Sequence, residues 1–199
     1  FKDQFAELEI EQSAQNGNDI YSVLSDLAAT VPAGSDGLIM LPHLMGAFCP
    51  YSNPYARGAF VGFTLHHGKA HFIRAILEAI ACLLRRNMES IIASGAQFTE
   101  IRATGGGAKS PLWKKMIANI LNLKVDVIES EEGPALGGAM LAAVACGEYK
   151  SVEEIAAKVV KVIDTVEPDP ELVAKYDERY AQFKEIYPAC KPLYDIITK

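Results

Sequence analysis

The spacing of apolar residues changes along the chain, and each change predicts an element. Phe1, Phe5, Leu8 and Glu9 fall at helical spacing, so residues 1–11 read as a helix. Residues 19–30 read as a second, with Asp19 as its cap and Ile20, Val23, Leu24, Leu27 and Ala28 as its apolar face. Val31 to Gly37 is a run of breakers, followed by a short apolar strand, Leu38 to Leu41, that Pro42 ends. Residues 43–57 form a loop with Gly46, Pro50 and Pro54 as punctuation, and Gly58 to Thr64 reads as a strand. The longest helix is predicted over Lys69–Ser94, roughly 40 Å at 1.5 Å per residue. Phe72, Ile73, Ile76, Leu77, Ala79, Ile80, Leu83, Leu84, Met88 and Ile91 give it a broad apolar face, with Gly95 as its C′ residue.

The second half alternates strand and helix. Phe98, Ile101 and Ala103 predict a strand that ends in Gly105-Gly106-Gly107. Ser110 offers an N-cap oxygen, Pro111 suits the first helical position, and Leu112, Trp113, Met116, Ile117, Ile120 and Leu121 follow at helical spacing. Lys124 to Ile128 alternates as a strand, Glu129 to Glu132 is an acidic loop, and Gly133-Pro134 opens a helix rich in Ala and Gly that Gly147 ends. Such small residues predict close approach to a sheet or another helix. Ser151-Val152-Glu153-Glu154 is a capping box for a further helix. Asp169-Pro170-Glu171 starts the last, expected to stop before Pro188. The order β–loop–β–α–β–α–β–α, then helices, implies a layered α/β domain. Residues 1–199 read as one domain, with a core at about 38–147 and a helical extension over 151–199.

Composition narrows the function classes. Half of the 199 residues are hydrophobic, enough for a sizeable core. The net charge of −6 disfavours nucleic acid as a partner. No apolar run approaches the ~20 residues of a membrane span. The polar start, Phe1-Lys2-Asp3-Gln4, is no signal peptide, and the absence of an initial Met predicts a piece of a longer protein. Cys49, Cys82, Cys146 and Cys190 are far apart, which points to a reducing, cytoplasmic setting. Cys82 and Cys146 lie in apolar helical patterns and are expected to be buried. Asp3, Glu7, Glu9, Glu11, Asp19 and Asp26 are expected on solvated helix faces. His67 and His71 stand four apart, but Gly68 interrupts the turn and no acid joins them as in H-E-x-x-H. They read as the first turn of the long helix, and no metal ligand is assigned.

The candidate chemistry lies in Gly105–Ser110, where a strand, a glycine loop and a helix N-terminus could bring backbone N–H groups to a nucleotide. A P-loop is excluded, because Ala103 and Ala108 occupy its two glycine places before Lys109-Ser110. A dinucleotide turn, G-x-G-x-x-G, finds Gly105 and Gly107 but Ser110 in third place, with Glu129 as a candidate ribose acid. This leaves a dinucleotide-dependent oxidoreductase open. A purely structural turn is the other alternative.

A third reading rests on resemblance. Gly105-Gly106-Gly107-Ala108-Lys109-Ser110-Pro111-Leu112-Trp113, followed by Glu132-Gly133-Pro134-Ala135-Leu136-Gly137-Gly138-Ala139, resembles the FGGY carbohydrate kinases, the xylulokinase group in particular. Leu41 to Gly46, Asn53 to Gly62 and the helix Phe72–Ile80 resemble the same family's C-terminal domain, so matches extend from about Leu38 to Gly147. The resemblance implies the C-terminal lobe of an actin-like ATPase (RNase H-like) fold, a mixed sheet flanked by helices. It implies ATP with Mg²⁺ as cofactor and a sugar as substrate, a ketopentose such as xylulose. Gly105, Gly106, Gly107 and Ala108 would form the turn against the base and ribose. Lys109, Ser110 and Leu112 would begin the flanking helix, and the loop from Pro42 to Pro54 would border the cleft. The family's catalytic Asp is expected upstream of Phe1 in an N-terminal lobe, so no catalytic residue is assigned here and residues 1–199 alone are expected to be inactive. A homodimer and a non-catalytic domain of the same fold also remain open. One departure stands out: Gly46-Ala47-Phe48-Cys49-Pro50 replaces the Gly-Glu-Arg-x-Pro of many members.

Overall fold

The protein is described from a computed structural model, which defines residues 1–129 and 133–198. It opens with helices α1 (Lys2–Phe5), α2 (Glu7–Asn16) and α3 (Ile20–Ala29). The single helix expected over residues 1–11 is interrupted at Ala6, which leaves helical geometry at φ −122° and is fully buried. Asp19 caps α3 as expected, its carboxylate accepting the Ser22 N–H at 3.0 Å.

Strands β1 (Ile39–Leu41) and β2 (Ala59–Val61) form an antiparallel pair. Helix α4 (Lys69–Ile92) packs against β1 and is capped by Ala93 in right-handed geometry; Gly95, expected at C′, lies one position further on, at φ +100°. A second, mixed sheet has the order β3 (Ile101–Ala103), β4 (Val125–Ile128), β5 (Val162–Val166). β3 and β4 run parallel and are joined by α5 (Pro111–Leu121); β5 is antiparallel to β4. Helices α6 (Gly133–Ala145) and α7 (Val152–Val159) precede β5, and α8 (Pro170–Ile197) closes the chain. No helix among the described residues is long and apolar enough to cross a membrane.

Three expectations fail here, each for a physical reason. The extension over 151–199 is not all helix. Val162–Val166 is β-branched apart from Asp164, and it pairs with β4 although mostly exposed. The last helix does not stop before Pro188 but runs to Ile197 through Pro188 and Pro192. Tyr176, Tyr180, Phe183, Tyr187 and Tyr194 form one buried stripe along it, and this burial outweighs the ~3 kcal/mol that a proline costs inside a helix. Finally, α6 has no buried residue among those described, and the adjoining Cys146 is exposed. The small-residue surface comes close to the end of β3 at its first turn, where Gly133 meets Thr104. Cys82, by contrast, is buried, and desolvation pushes its thiol up to about 12.

The main core gathers Leu38, Met40, Leu41, Ala75, Ala79, Cys82, Met116, Ile120 and the aromatic stripe of α8. Two charges lie within it, against the apolar periodicity of α4. The Glu78 carboxylate accepts from Arg74 Nε (2.8 Å), Tyr176 OH (2.9 Å), Gly34 N–H (2.9 Å) and Ser35 Oγ (3.0 Å). Arg74 also donates to the carbonyls of Val31 (2.6 Å) and Ala28 (3.3 Å) and to Tyr176 OH (3.1 Å). Burial, and after it the Glu78 charge, pushes the Tyr176 phenol well above its usual range, so it stays a donor. The network holds Gly34, Ser35, Asp36 and Gly37, four consecutive residues at positive φ.

Replacing Glu78 by Ala strands the buried Arg74 and three further donors, Tyr176 OH, Gly34 N–H and Ser35 Oγ. We expect a loss of about 3–5 kcal/mol, read from urea unfolding midpoints; a loss below about 1 kcal/mol would show that the network contributes little.

Candidate functional site

The glycine turn begins where β3 ends. Thr104 leads into Gly105, at φ +78° and ψ −167°, a conformation open essentially to glycine alone. Gly106–Lys109 then makes one 3₁₀ turn, closed by Ala108 N–H to Gly105 O (3.1 Å) and Ser110 N–H to Gly107 O (3.2 Å). Ser110 caps α5 as expected: its Oγ accepts the Trp113 N–H at 3.2 Å, and Pro111 takes the first helical position. The same Oγ lies 2.7 Å from Ser25 Oγ on α3, which pins the turn to a helix 85 residues away in sequence. Nothing in the sequence signals that contact.

The three glycines differ in role. A Cβ at Gly105, Gly106 or Gly107 would meet no atom within 4 Å, so a flat ligand could approach the backbone at each. Only Gly105 has a positive φ. Gly106 and Gly107 are exposed and Ala108 is half-buried. Lys109 is exposed at the end of the 3₁₀ turn. Leu112 is half-buried and packs against the hydrophobic core.

The second motif converges on the first. A Cβ at Gly133 would lie 2.9 Å from Thr104 Cγ2, so the start of α6 sits against the end of β3. The glycine turn and the start of α6 therefore lie near the carboxyl end of β3, which runs parallel to β4, where α/β sheets bind ligands. Thr104 is a residue of this junction that the sequence alone does not mark. Of the acidic loop, residues 130–132 lie outside the described residues. Glu129 is described: its N–H donates to Lys161 O (2.9 Å) and its carboxylate lies 3.7 Å from Lys161 Nζ.

The loop after β1 is anchored by aromatic packing. Tyr51 stacks on Tyr187 with centroids 3.6 Å apart, and the buried His43 ring meets Tyr187 edge-on at 5.5 Å. Burial lowers the His43 pKa, which favours the neutral ring. Ala47 and Asn53 exchange two backbone bonds at 2.7 and 2.8 Å, and the Cys49–Pro50 peptide is cis. In the segment that departs from the Gly-Glu-Arg-x-Pro pattern, Ala47 is buried while Phe48 is 82% exposed. Leu44, Met45 and Tyr55 are exposed beside it.

The acids near the start resolve as a partly buried pair, an exposed pair of Asp3 with Lys2 at 3.1 Å, and one cap among solvated neighbours. Glu9 binds Lys69 Nζ at 2.8 and 2.9 Å, which holds its carboxyl below the usual range, so it is not on a free face as expected. Asp19 caps α3, and the side chains of Asp3, Glu7, Glu11 and Asp26 are exposed.

Comparison with known proteins gives the family. The description "FGGY family of carbohydrate kinases, C-terminal domain" matches residues 3–146. The chain is 34% identical to the xylulose kinase of Bacillus subtilis over 176 residues, 88% of this chain and 35% of that protein. It is 39% identical to the gluconokinase of the same organism over 155 residues, 77% of the chain and 30% of that protein. Its fold is similar to the crystal structure of a ligand-bound xylulose kinase from Lactobacillus acidophilus, with a TM-score of 0.82 at 29% identity, covering 96% of this chain and 39% of that one. A gluconate kinase of Lactobacillus acidophilus is similar at a TM-score of 0.80 and 31% identity, over 88% of this chain and 35% of that one. The chain thus spans about a third of the length of the curated relatives it matches.

The glycine geometry separates two substitutions. Gly105→Ala forces a Cβ onto a glycine-only conformation and should cost about 1–3 kcal/mol. Gly106→Ala meets no neighbour and should change stability by less than about 0.5 kcal/mol. Equal losses in thermal unfolding would contradict this assignment.

Proposed function

The chain belongs to the FGGY family of carbohydrate kinases as a C-terminal domain, and from that premise we propose that it supplies the adenosine site of a sugar kinase. The turn Gly105–Ala108, with Lys109 and Ser110 at the start of α5, holds the base and ribose of ATP. The observation that carries this reading is the open surface over Gly106 and Gly107, at the carboxyl end of β3 and beside the start of α6. Flat ring systems can lie on such a backbone where side chains would block them. Leu112 supports the turn from the core side. Mg²⁺-ATP, when bound, would supply the γ-phosphoryl group and the positive charge that neutralises it. The acceptor in this reading is a sugar hydroxyl, of a ketopentose such as xylulose.

The role of these residues is to bind and orient. Ser110 fixes the turn by capping α5 and by its contact with Ser25, so the backbone is set before the ligand arrives. Deprotonation of the acceptor hydroxyl requires a base within hydrogen-bond reach. Glu9 is engaged with Lys69, Asp19 with a helix end and Glu129 with Lys161. We assign the base to an Asp of a preceding lobe. Membership in a kinase family leaves the dinucleotide reading of the same turn without support.

Two measurements test the proposal. Isothermal titration of the full-length protein should show ATP binding, no useful affinity for NAD, and a loss of about tenfold or more in ATP affinity for Gly106→Val, with an unchanged circular dichroism spectrum. Unchanged affinity in that variant would mean the turn does not touch the nucleotide. A coupled ADP assay across a panel of pentuloses and hexuloses should show no sugar-dependent turnover by residues 1–199 alone. Turnover that disappears on mutating one of this chain's own acids would overturn the assignment of the base.

A further inference from the structure

The turn before β1, the loop between β2 and α4, and the first turn of α4 bring together a cluster that the proposed kinase chemistry does not use. We propose that Asp36, His66 and His71 form a binding site for a divalent transition-metal ion of the zinc class. One atom from each residue lies within 4.8 Å of the others. His71 Nε2 is 3.2 Å from Asp36 Oδ2, and His66 Nε2 is 3.8 Å from the same oxygen. Ligand atoms around a tetrahedral ion with bonds of ~2.0–2.1 Å stand about 3.3 Å apart. Two edges of the triangle are therefore already close to the length that a bound ion requires. The His66 and His71 rings are inclined at 65° with centroids 5.4 Å apart, so neither blocks the other.

The pairing differs from the one that sequence spacing suggests. His67 and His71 stand four apart, but His67 turns inward. Its Nδ1 accepts the Thr64 N–H at 3.0 Å, which leaves the proton on Nε2, facing the Asp36 carbonyl at 3.3 Å. His67 is buried and acts as a brace for Asp36, while His66 and His71 supply the nitrogens. Asp36 is also set from below. It sits at φ +48° in the turn whose Gly34 N–H and Ser35 hydroxyl are bound by the buried Glu78. The backbone that carries the carboxylate is thus held by the core, while the carboxylate itself meets His66 and His71.

The ligand set selects the class of ion. Imidazole nitrogens favour zinc, nickel or copper, whereas magnesium and calcium prefer oxygen. Water would complete the shell on the open side, since Asp36 and His66 are exposed. An ion there would tie the 34–37 turn to the first turn of α4, independently of the Mg²⁺ that accompanies ATP. Binding carries a defined proton change. His71 Nδ1 accepts the Gly68 N–H at 3.1 Å, which places the ring proton on Nε2, the atom the metal needs. Coordination through Nε2 moves that proton to Nδ1 and releases the Gly68 N–H to solvent. No net charge is lost from the ring.

The test is titration of the full-length protein with ZnCl₂, in parallel with MgCl₂, under reducing conditions. We expect saturable one-to-one zinc binding that excess Mg²⁺ does not displace. It should weaken about tenfold or more in His66→Ala and in Asp36→Asn. His66 is 74% exposed, and Asn tolerates the left-handed conformation at position 36, so both variants keep the fold. Nitrogen NMR of the imidazoles should show His71 change from the Nε2–H to the Nδ1–H tautomer on zinc addition. Zinc binding unchanged by both variants would place the ion elsewhere, and no zinc binding at all would reduce the cluster to hydrogen bonds. Either result overturns the proposal, as does zinc bound with the His71 tautomer unchanged.

Discussion

The buried ionic network of Arg74, Glu78 and Tyr176 is the constraint on which the rest of this structure depends. One helical turn of α4 places a guanidinium and a carboxylate inside an otherwise apolar core. Such a pair is tolerable only when every remaining donor and acceptor finds a partner. Here the partners come from α3, from the turn after it and from α8. An apolar pair of the same size could pack between these elements, but it would not dictate their register. The network lets α8 dock in one way, with the Tyr176 hydroxyl between the two charges. It also stabilises four consecutive residues at positive φ that the chain would otherwise avoid.

Helix α3 carries this order to the proposed nucleotide turn. At its C-terminal end Ala28 O accepts from Arg74, and in its middle Ser25 Oγ meets Ser110 Oγ. The segment preceding the main α/β pattern is therefore a brace between the core network and the glycine turn. Two open surfaces result, one over Gly106 and Gly107 and one beside Asp36, each made from residues that the interior holds still. Rigid support beneath an exposed, polar or side-chain-free surface is the arrangement expected of a binding site.

Much of the fold was legible because the signals were local. Asp19, Ser110, Ser151 and Asp169 each cap the helix they were expected to start. Gly95 turns the chain with a left-handed φ just past the end of α4, one position beyond its expected place. Where expectation failed, a distant partner outweighed the local rule. Pro188 did not end α8, because the aromatic stripe continues to Tyr194 and burial outweighs one lost hydrogen bond. Val162–Val166 was passed over as helix, because its strand identity depends on β4 lying beside it. Cys146 followed the apolar pattern of α6, yet among the described residues nothing buries that helix.

The sequence by itself determined the family, the order of most elements and the place of the glycine turn. Each rests on neighbouring residues: a cap, a breaker, a run of glycines, a motif at set spacing. Only the tertiary structure decided which glycine needs its freedom and that Ser110 meets Ser25. It also chose His66 over His67 as the companion of His71, although spacing on a helix favours the latter. These outcomes depend on where Asp36, Ser25 and Thr104 arrive in space. That is set by the packing of α3, α4 and α8 around two buried charges, and no local pattern encodes it.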